Sequence, residues 1–187
     1  MRSPFYFIVK PFDDKRYTNT KNIDGIDFIT STSEENHKAS NRQGVVVATP
    51  LGYDGEIEVG DLLLVHHNVF KFYNDMKGRQ KSGKSFFKDD LFLVDDFQYF
   101  LYKHDDKWKS VDKFCFIKPV DKEDFYLESH GKEQPLVGIV KYTNNLLLSY
   151  GIKEGDKVSF KPDAEYEFNI DGEKLYRVFT NWITIKL

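Results

Sequence analysis

The sequence predicts an all-β protein built from two tandem small β-barrels, and three observations carry that expectation. Four segments of the chain recur in the same order, the aromatic content suits pleated surfaces, and short apolar runs are punctuated by Gly and Asp turns. Aromatic residues make up 16% of the 187, with 17 Phe and 11 Tyr, and such side chains fit a half-buried sheet better than a helix. No stretch sustains the apolar spacing of an amphipathic helix between capping residues.

The repeat is taken first because a duplicated unit fixes domain organisation where length alone leaves it open. Phe5-Tyr6-Phe7-Ile8-Val9-Lys10-Pro11 returns, one residue shorter, as Phe114-Cys115-Phe116-Ile117-Lys118-Pro119. Each ends at a proline, which cannot donate to a ladder. Gly44-Val45-Val46-Val47-Ala48-Thr49 has its counterpart in Gly138-Ile139-Val140-Lys141-Tyr142-Thr143, each a glycine leading a β-branched run. The pair Gly60-Asp61 lies 16 residues beyond the first of these glycines, and Gly155-Asp156 lies 17 beyond the second. Each pair reads as a tight turn feeding a strand, Leu62 to Val65 and Lys157 to Phe160. Leu91 to Val94 and Tyr99 to Leu101 match Leu175 to Val178 and Ile183 to Ile185 at a constant offset of 84. Near the end, Glu165 to Ile170 alternates with period two, and Asp171-Gly172 then separates it from Glu173 to Phe179, the signature of a hairpin with a two-residue turn.

The copies are expected to span residues 1–104 and 105–187, divided at the charged turn Lys103-His104-Asp105-Asp106-Lys107. The first is the more elaborate. It has a long polar segment between Pro11 and Gly44, and it places 30 residues from Asp61 to Leu91 where the second places 19 from Asp156 to Leu175.

Bulk properties narrow the function. The net charge of −3 supplies no broad positive field, so neither nucleic acid nor an anionic membrane is an expected partner. Cys115 is the single cysteine, which rules out an intrachain disulfide, a zinc ribbon and a thioredoxin-type pair. The opening MRSPFYFIVKPF lacks a signal-peptide apolar core, and no run reaches the length needed to span a bilayer, so a cytoplasmic location is expected.

In order and spacing these pieces resemble a co-chaperonin of the GroES family, in tandem-domain form. The resemblance rests on an opening strand ending Ile-Val-Lys-Pro, a polar loop with Gly-Ile-x-Phe, a Gly-Val-Val strand and a Val-Gly-Asp turn, and covers most of both copies. The second copy adds Glu154-Gly155-Asp156-Lys157-Val158-Ser159-Phe160 and a closing Trp182-Ile183-Thr184-Ile185. It implies two GroES-like barrels, no enzymatic activity and no cofactor, with a homo-oligomeric ring capping a GroEL-like chaperonin whose own ATP drives the cycle. It also implies that a loop, here residues 19–43, docks on the partner through a short apolar segment. The matching residues are Gly25, Ile26, Asp27, Phe28 and Ile29, and a strand-like segment would turn Asp27 away from its two neighbours. Burying about three such side chains gains roughly 1.5 to 3 kcal/mol each, against on the order of 1 to 2 kcal/mol per ordered residue. One loop then binds weakly and several on a ring bind well. Subunits are expected to join by terminal strands, Phe5 to Lys10 or Trp182 to Lys186. The alternative reading is a non-catalytic assembly module, of a viral particle for example, using the same barrels as scaffold.

Other motifs point to plainer roles. Gly78-Arg79-Gln80-Lys81-Ser82-Gly83-Lys84-Ser85 matches the phosphate-loop pattern, but a strand-like Phe86 to Val94 follows where a phosphate loop needs a helix. His66-His67 is read as a strand-end pair facing opposite ways, a poor metal site. Cys115 is read as a core thiol. Val69-Phe70-Lys71-Phe72-Tyr73 has the aromatic and cationic character of a single-strand stacking surface, although core packing is its ordinary use.

Overall fold

A computed structural model describes residues 1–17, 20–23, 26–29, 40–121 and 133–187. It is predominantly β, with antiparallel sheets, and divides into two compact units, Met1–Lys107 and Trp108–Leu187. Among the described residues no helix is long and apolar enough to cross a membrane.

The first unit contains β1 (Phe7–Pro11), β2 (Thr20–Ile23), β3 (Ile26–Ile29), β4 (Gln43–Ala48), β5 (Leu62–Val65), β6 (Phe72–Asn74), β7 (Gln80–Ser82), β8 (Phe86–Lys88), β9 (Leu91–Val94) and β10 (Tyr99–His104). Its main sheet runs β10-β5-β4-β1-β9-β8, and the division between units falls in β11 (Lys107–Ser110). Asp105 and Asp106, both at positive φ, form the turn that leads out of β10. The pairs β2-β3 and β6-β7 are separate two-stranded sheets.

The second unit contains β12 (Phe114–Asp121), β13 (Glu133–Tyr142), the short helix α1 (Asn145–Ser149), β14 (Lys157–Phe160), β15 (Tyr166–Ile170), β16 (Glu173–Phe179) and β17 (Ile183–Lys186). Its sheet runs β17-β14-β13-β12-β16-β15. This is the order of the first unit, strand for strand.

Register carries the repeat down to single residues. Pro11 lies opposite Gly44 and Lys10 opposite Val45, as Pro119 lies opposite Gly138 and Lys118 opposite Ile139. Both ladders then slip at the next step, between Ile8 and Val9 in one and between Phe116 and Ile117 in the other. On the far edge of the opening strand, Phe7 pairs with Val94 and Cys115 with Val178. Tyr99 opposite Val65 likewise repeats as Ile183 opposite Phe160. Because a slip of one residue would turn every side chain to the opposite face, such agreement requires equivalent cores.

The Gly-Asp turn recurs with its bonds intact. Gly60 N donates to Val46 O at 2.9 Å and Gly155 N to Val140 O at 2.8 Å, while Val46 and Val140 donate back to Asp61 O and Asp156 O. Both glycines have positive φ, 101° and 87°, the conformation that favours glycine. The aspartate carboxylates close the turns by accepting from Glu58 N and Lys153 N.

Buried runs on the central strands do not alternate. Phe7, Ile8 and Val9 on β1, and Phe114 through Ile117 on β12, are all buried, so both faces of these strands are covered. The helix α1 departs from the expectation of strands alone. Asn144 supplies its N-cap by accepting from Leu147 N, and the Asn144 amide also donates to Phe114 O at 2.6 Å and Thr180 Oγ1 at 2.7 Å. A buried asparagine with several partners holds this turn where propensity alone would not. The hairpin expected at Asp171-Gly172 is present, with Ile170 opposite Glu173 and both turn residues at positive φ.

Candidate functional site

The segment expected to dock on a partner lies between β1 and β4. Gly25 falls outside the described residues, as do 18–19, 24 and 30–39. Ile26, Asp27, Phe28 and Ile29 form β3, which pairs antiparallel with β2 in the register Thr20 to Ile29, Lys21 to Phe28, Asn22 to Asp27 and Ile23 to Ile26. The segment is therefore one arm of a hairpin rather than a lone extended stretch. Asp24-Gly25 between the arms has the sequence of a tight hairpin connection, and that signal was available in the sequence.

Both roots of this excursion are fixed to the first unit. Tyr17 and Ser40 form an antiparallel bridge. The neighbouring Asn41 is buried, its backbone N–H donating to Arg16 O at 3.0 Å. Its side-chain amide donates to Phe12 O at 2.9 Å and Lys15 O at 2.6 Å, and its carbonyl accepts from Gln43 N at 2.9 Å. One side chain thus ties the descending strand to the ascending one.

Arg16 provides the second anchor. Its guanidinium donates to Asp90 Oδ1 and, at 3.1 Å, to Ser82 Oγ. It also lies over the rings of Phe86 and Phe92, 5.3 and 4.9 Å from their centroids. The planar cation satisfies a carboxylate while covering aromatic faces, a combination lysine cannot reproduce. The Tyr17 ring meets that of Phe72 edge-on at 5.0 Å. Neither Asn41 nor Arg16 was a sequence candidate, because their partners are far away in sequence.

Residues 78–85 do not adopt the fold a phosphate loop requires. Gly78 is in a turn, Gln80–Ser82 is β7, and Phe86–Lys88 is β8 rather than a helix. The expectation that His66 and His67 face opposite ways is corrected: the chain turns after β5, and their rings stand 4.1 Å apart at 32°. Among the described residues no group of three or more His, Cys, Asp or Glu could hold a metal. Cys115 is fully buried, and burial pushes its thiol up to about 12.

The edges available for assembly also differ from expectation. Strand β1 pairs with β4 along Ile8 to Pro11 and with β9 along Phe7 to Val9, so its centre, Ile8 and Val9, offers no free edge for a neighbouring subunit. Strand β17 ends its sheet and, among the described residues, pairs only with β14. Beside it a groove of about 330 Å³ is lined by Leu146, Tyr150, Ile152, Ile183 and Ile185.

No family model matches the chain, and no curated protein matches it.

Proposed function

We propose that this protein is a non-enzymatic co-chaperonin: two GroES-like small barrels in one cytoplasmic chain, assembled into a ring that caps a GroEL-like chaperonin. The observation that carries the reading is the clamped hairpin. The first unit inserts between β1 and β4 a segment holding Ile26, Phe28 and Ile29, and Asn41 with Arg16 fixes both of its roots. Presenting an apolar segment from a fixed base is what a docking loop requires.

The hairpin also changes the energetics. A fully disordered loop would offset most of its burial gain by ordering cost. Because β2 and β3 already pair, fewer residues remain to be ordered on docking, which favours binding. A single site is still small, and avidity from a ring multiplies it. The unpaired edge of β17 supports the second of the two expected terminal contacts, Trp182 to Lys186, as the place where subunits join.

Sedimentation of the protein with a GroEL-type chaperonin and ATP tests the proposal. Wild-type protein is expected in the fast-moving complex, and the double variant Ile26→Ser, Phe28→Ser is expected to stay behind while keeping its own melting temperature. Absence of a complex, or a complex indifferent to the double variant, overturns the reading in favour of an assembly scaffold.

A further inference from the structure

The β6-β7 hairpin is not needed to build this fold. The second unit reaches the same strand order with 11 fewer residues between its Gly-Asp turn and the strand equivalent to β9. The two connections also differ in charge. Residues 62–90 carry six Lys or Arg and three Asp, whereas residues 157–174 carry three Lys and five Asp or Glu. Within a chain of net charge −3, the cations of the first connection are gathered into Lys71, Lys77, Arg79, Lys81, Lys84 and Lys88.

Along the chain these cations outnumber the carboxylates among them. Asp75 is the single acidic residue between Lys71 and Lys88, and its Oδ1 accepts from the backbone N–H groups of Lys77 and Arg79, both at 2.9 Å. Its carboxylate is spent on closing the turn. None of the six cations forms an ion pair among the described residues.

The hairpin sorts its aromatic residues between two faces. Phe72 packs on Tyr17, and the preceding Val69 and Phe70 are fully buried, as a core role demands. Tyr73 is 51% exposed and lies directly opposite Lys81, so the two side chains share the outer face. Strand alternation adds Lys71 and Arg79 to that face. An aromatic ring flanked by three cations without an ion pair among the described residues, on a two-stranded ribbon, can stack a base while the cations meet successive phosphates. Phe87, 46% exposed on β8, has the Lys88 ammonium 5.8 Å from its ring centroid.

We propose that the outer face of this hairpin, Lys71, Tyr73, Arg79 and Lys81, binds single-stranded nucleic acid without sequence preference. The whole-chain charge conceals the site because an acidic remainder outweighs it. An acidic polypeptide would use the cations and leave Tyr73 idle, which is why a base-bearing ligand fits better.

Fluorescence anisotropy of a labelled 20-nucleotide oligothymidylate with the full-length protein tests the inference. Tyr73→Ala is expected to weaken binding about tenfold or more, the range of one lost base stack. Raising salt from about 50 to about 200 mM should weaken it roughly twentyfold, since three phosphate contacts give a slope near −2 for single strands. The double variant Arg79→Glu, Lys81→Glu should abolish binding with the melting temperature unchanged. The proposal is overturned if the wild-type protein does not bind at the lower salt, if Tyr73→Ala binds as well, if duplex of the same length binds as tightly, or if polyglutamate displaces the oligonucleotide as effectively as unlabelled strand.

Discussion

Asn41→Ala should cost the first unit about 2 to 3 kcal/mol, even though the residue belongs to no strand. The substitution removes two amide donors, to Phe12 O and Lys15 O, and the acceptor for Gln43 N. Each lost hydrogen bond is worth about 1 kcal/mol net, and a buried group left unsatisfied costs about 1 to 3 kcal/mol. Phe12 and Lys15 are exposed residues and their bonds to the Asn41 amide are only partly buried, whereas Asn41 is 8% exposed, which places the total near the lower end of the sum. At about 4 to 8 °C per kcal/mol for a domain of this size, the first unit should melt roughly 10 to 20 °C earlier. Urea unfolding followed by fluorescence gives the free energy. Hydrogen exchange at Lys15 and Gln43 locates the loosening. Asn41→Asp, which keeps the acceptor but turns a carboxylate oxygen toward the Phe12 and Lys15 carbonyl oxygens, should cost at least as much as alanine at neutral pH. A loss below about 0.5 kcal/mol, within the range of an ordinary surface substitution, would show that the amide does not hold the roots together.

Equivalent glycines in the two units should respond unequally. A methyl group at Gly138 would stand 2.8 Å from Lys118 O and closer still to Ile117 Cγ2, while at Gly44 the nearest atom is the end of the Phe70 ring at 3.0 Å. Gly138→Ala should therefore destabilise by about 3 kcal/mol and Gly44→Ala by about 1 kcal/mol, the range of overpacked cores, and equal urea midpoints for the two would contradict the packing described. His104 Nδ1 lies 3.0 Å from Asp61 Oδ2, and that hydrogen bond, with Asp105 and Glu58 adding negative charge, holds the imidazole above its ordinary value. Its contribution to stability is complete below about pH 6.5, the unfolded value, and disappears as pH rises through the folded one. An NMR titration should place His104 above 6.5 and Asp61→Asn should bring it back, so a wild-type midpoint at or below 6.5 would refute the pairing. The Cys115 thiol should resist an aromatic disulfide reagent at pH 8 until urea opens the second unit, and prompt labelling of native protein would contradict its burial.

The strand skeleton was legible because its punctuation has direct physical meaning. Pro11 ends β1, Gly60-Asp61 and Gly155-Asp156 force turns, and Asp171-Gly172 joins two alternating runs; Pro119 does not end its ladder as expected, because β12 runs on to Asp121 opposite Glu133. Those signals located β5, β9, β14 and β16 to the residue. They carry no information about long-range pairing, so the coincident register of the two sheets emerged only from coordinates. The hairpin β2-β3 went unread although Asp24-Gly25 announced it, because the flanking residues, Thr20 to Ile23, are largely polar and do not look like a strand. Helix α1 was missed for the opposite reason: five residues are too few for periodicity, and its stability comes from the Asn144 network. The clamp at the candidate site was out of reach altogether, since Arg16 meets Asp90 and Ser82 across 74 and 66 positions.

Duplication makes the differences between the units more informative than their likenesses. A core built twice in the same register accounts for folding in both, so whatever the first unit does alone must reside in what it adds. It adds two excursions, residues 18–39 and the connection containing β6 and β7, and Arg16 adjoins both. Arg16 leads into the first excursion, donates to Ser82 at the end of β7, pairs with Asp90 before β9, and covers the rings of Phe86 and Phe92. The root of the hairpin proposed to meet a chaperonin is therefore held, through Arg16, against the connection proposed to meet nucleic acid.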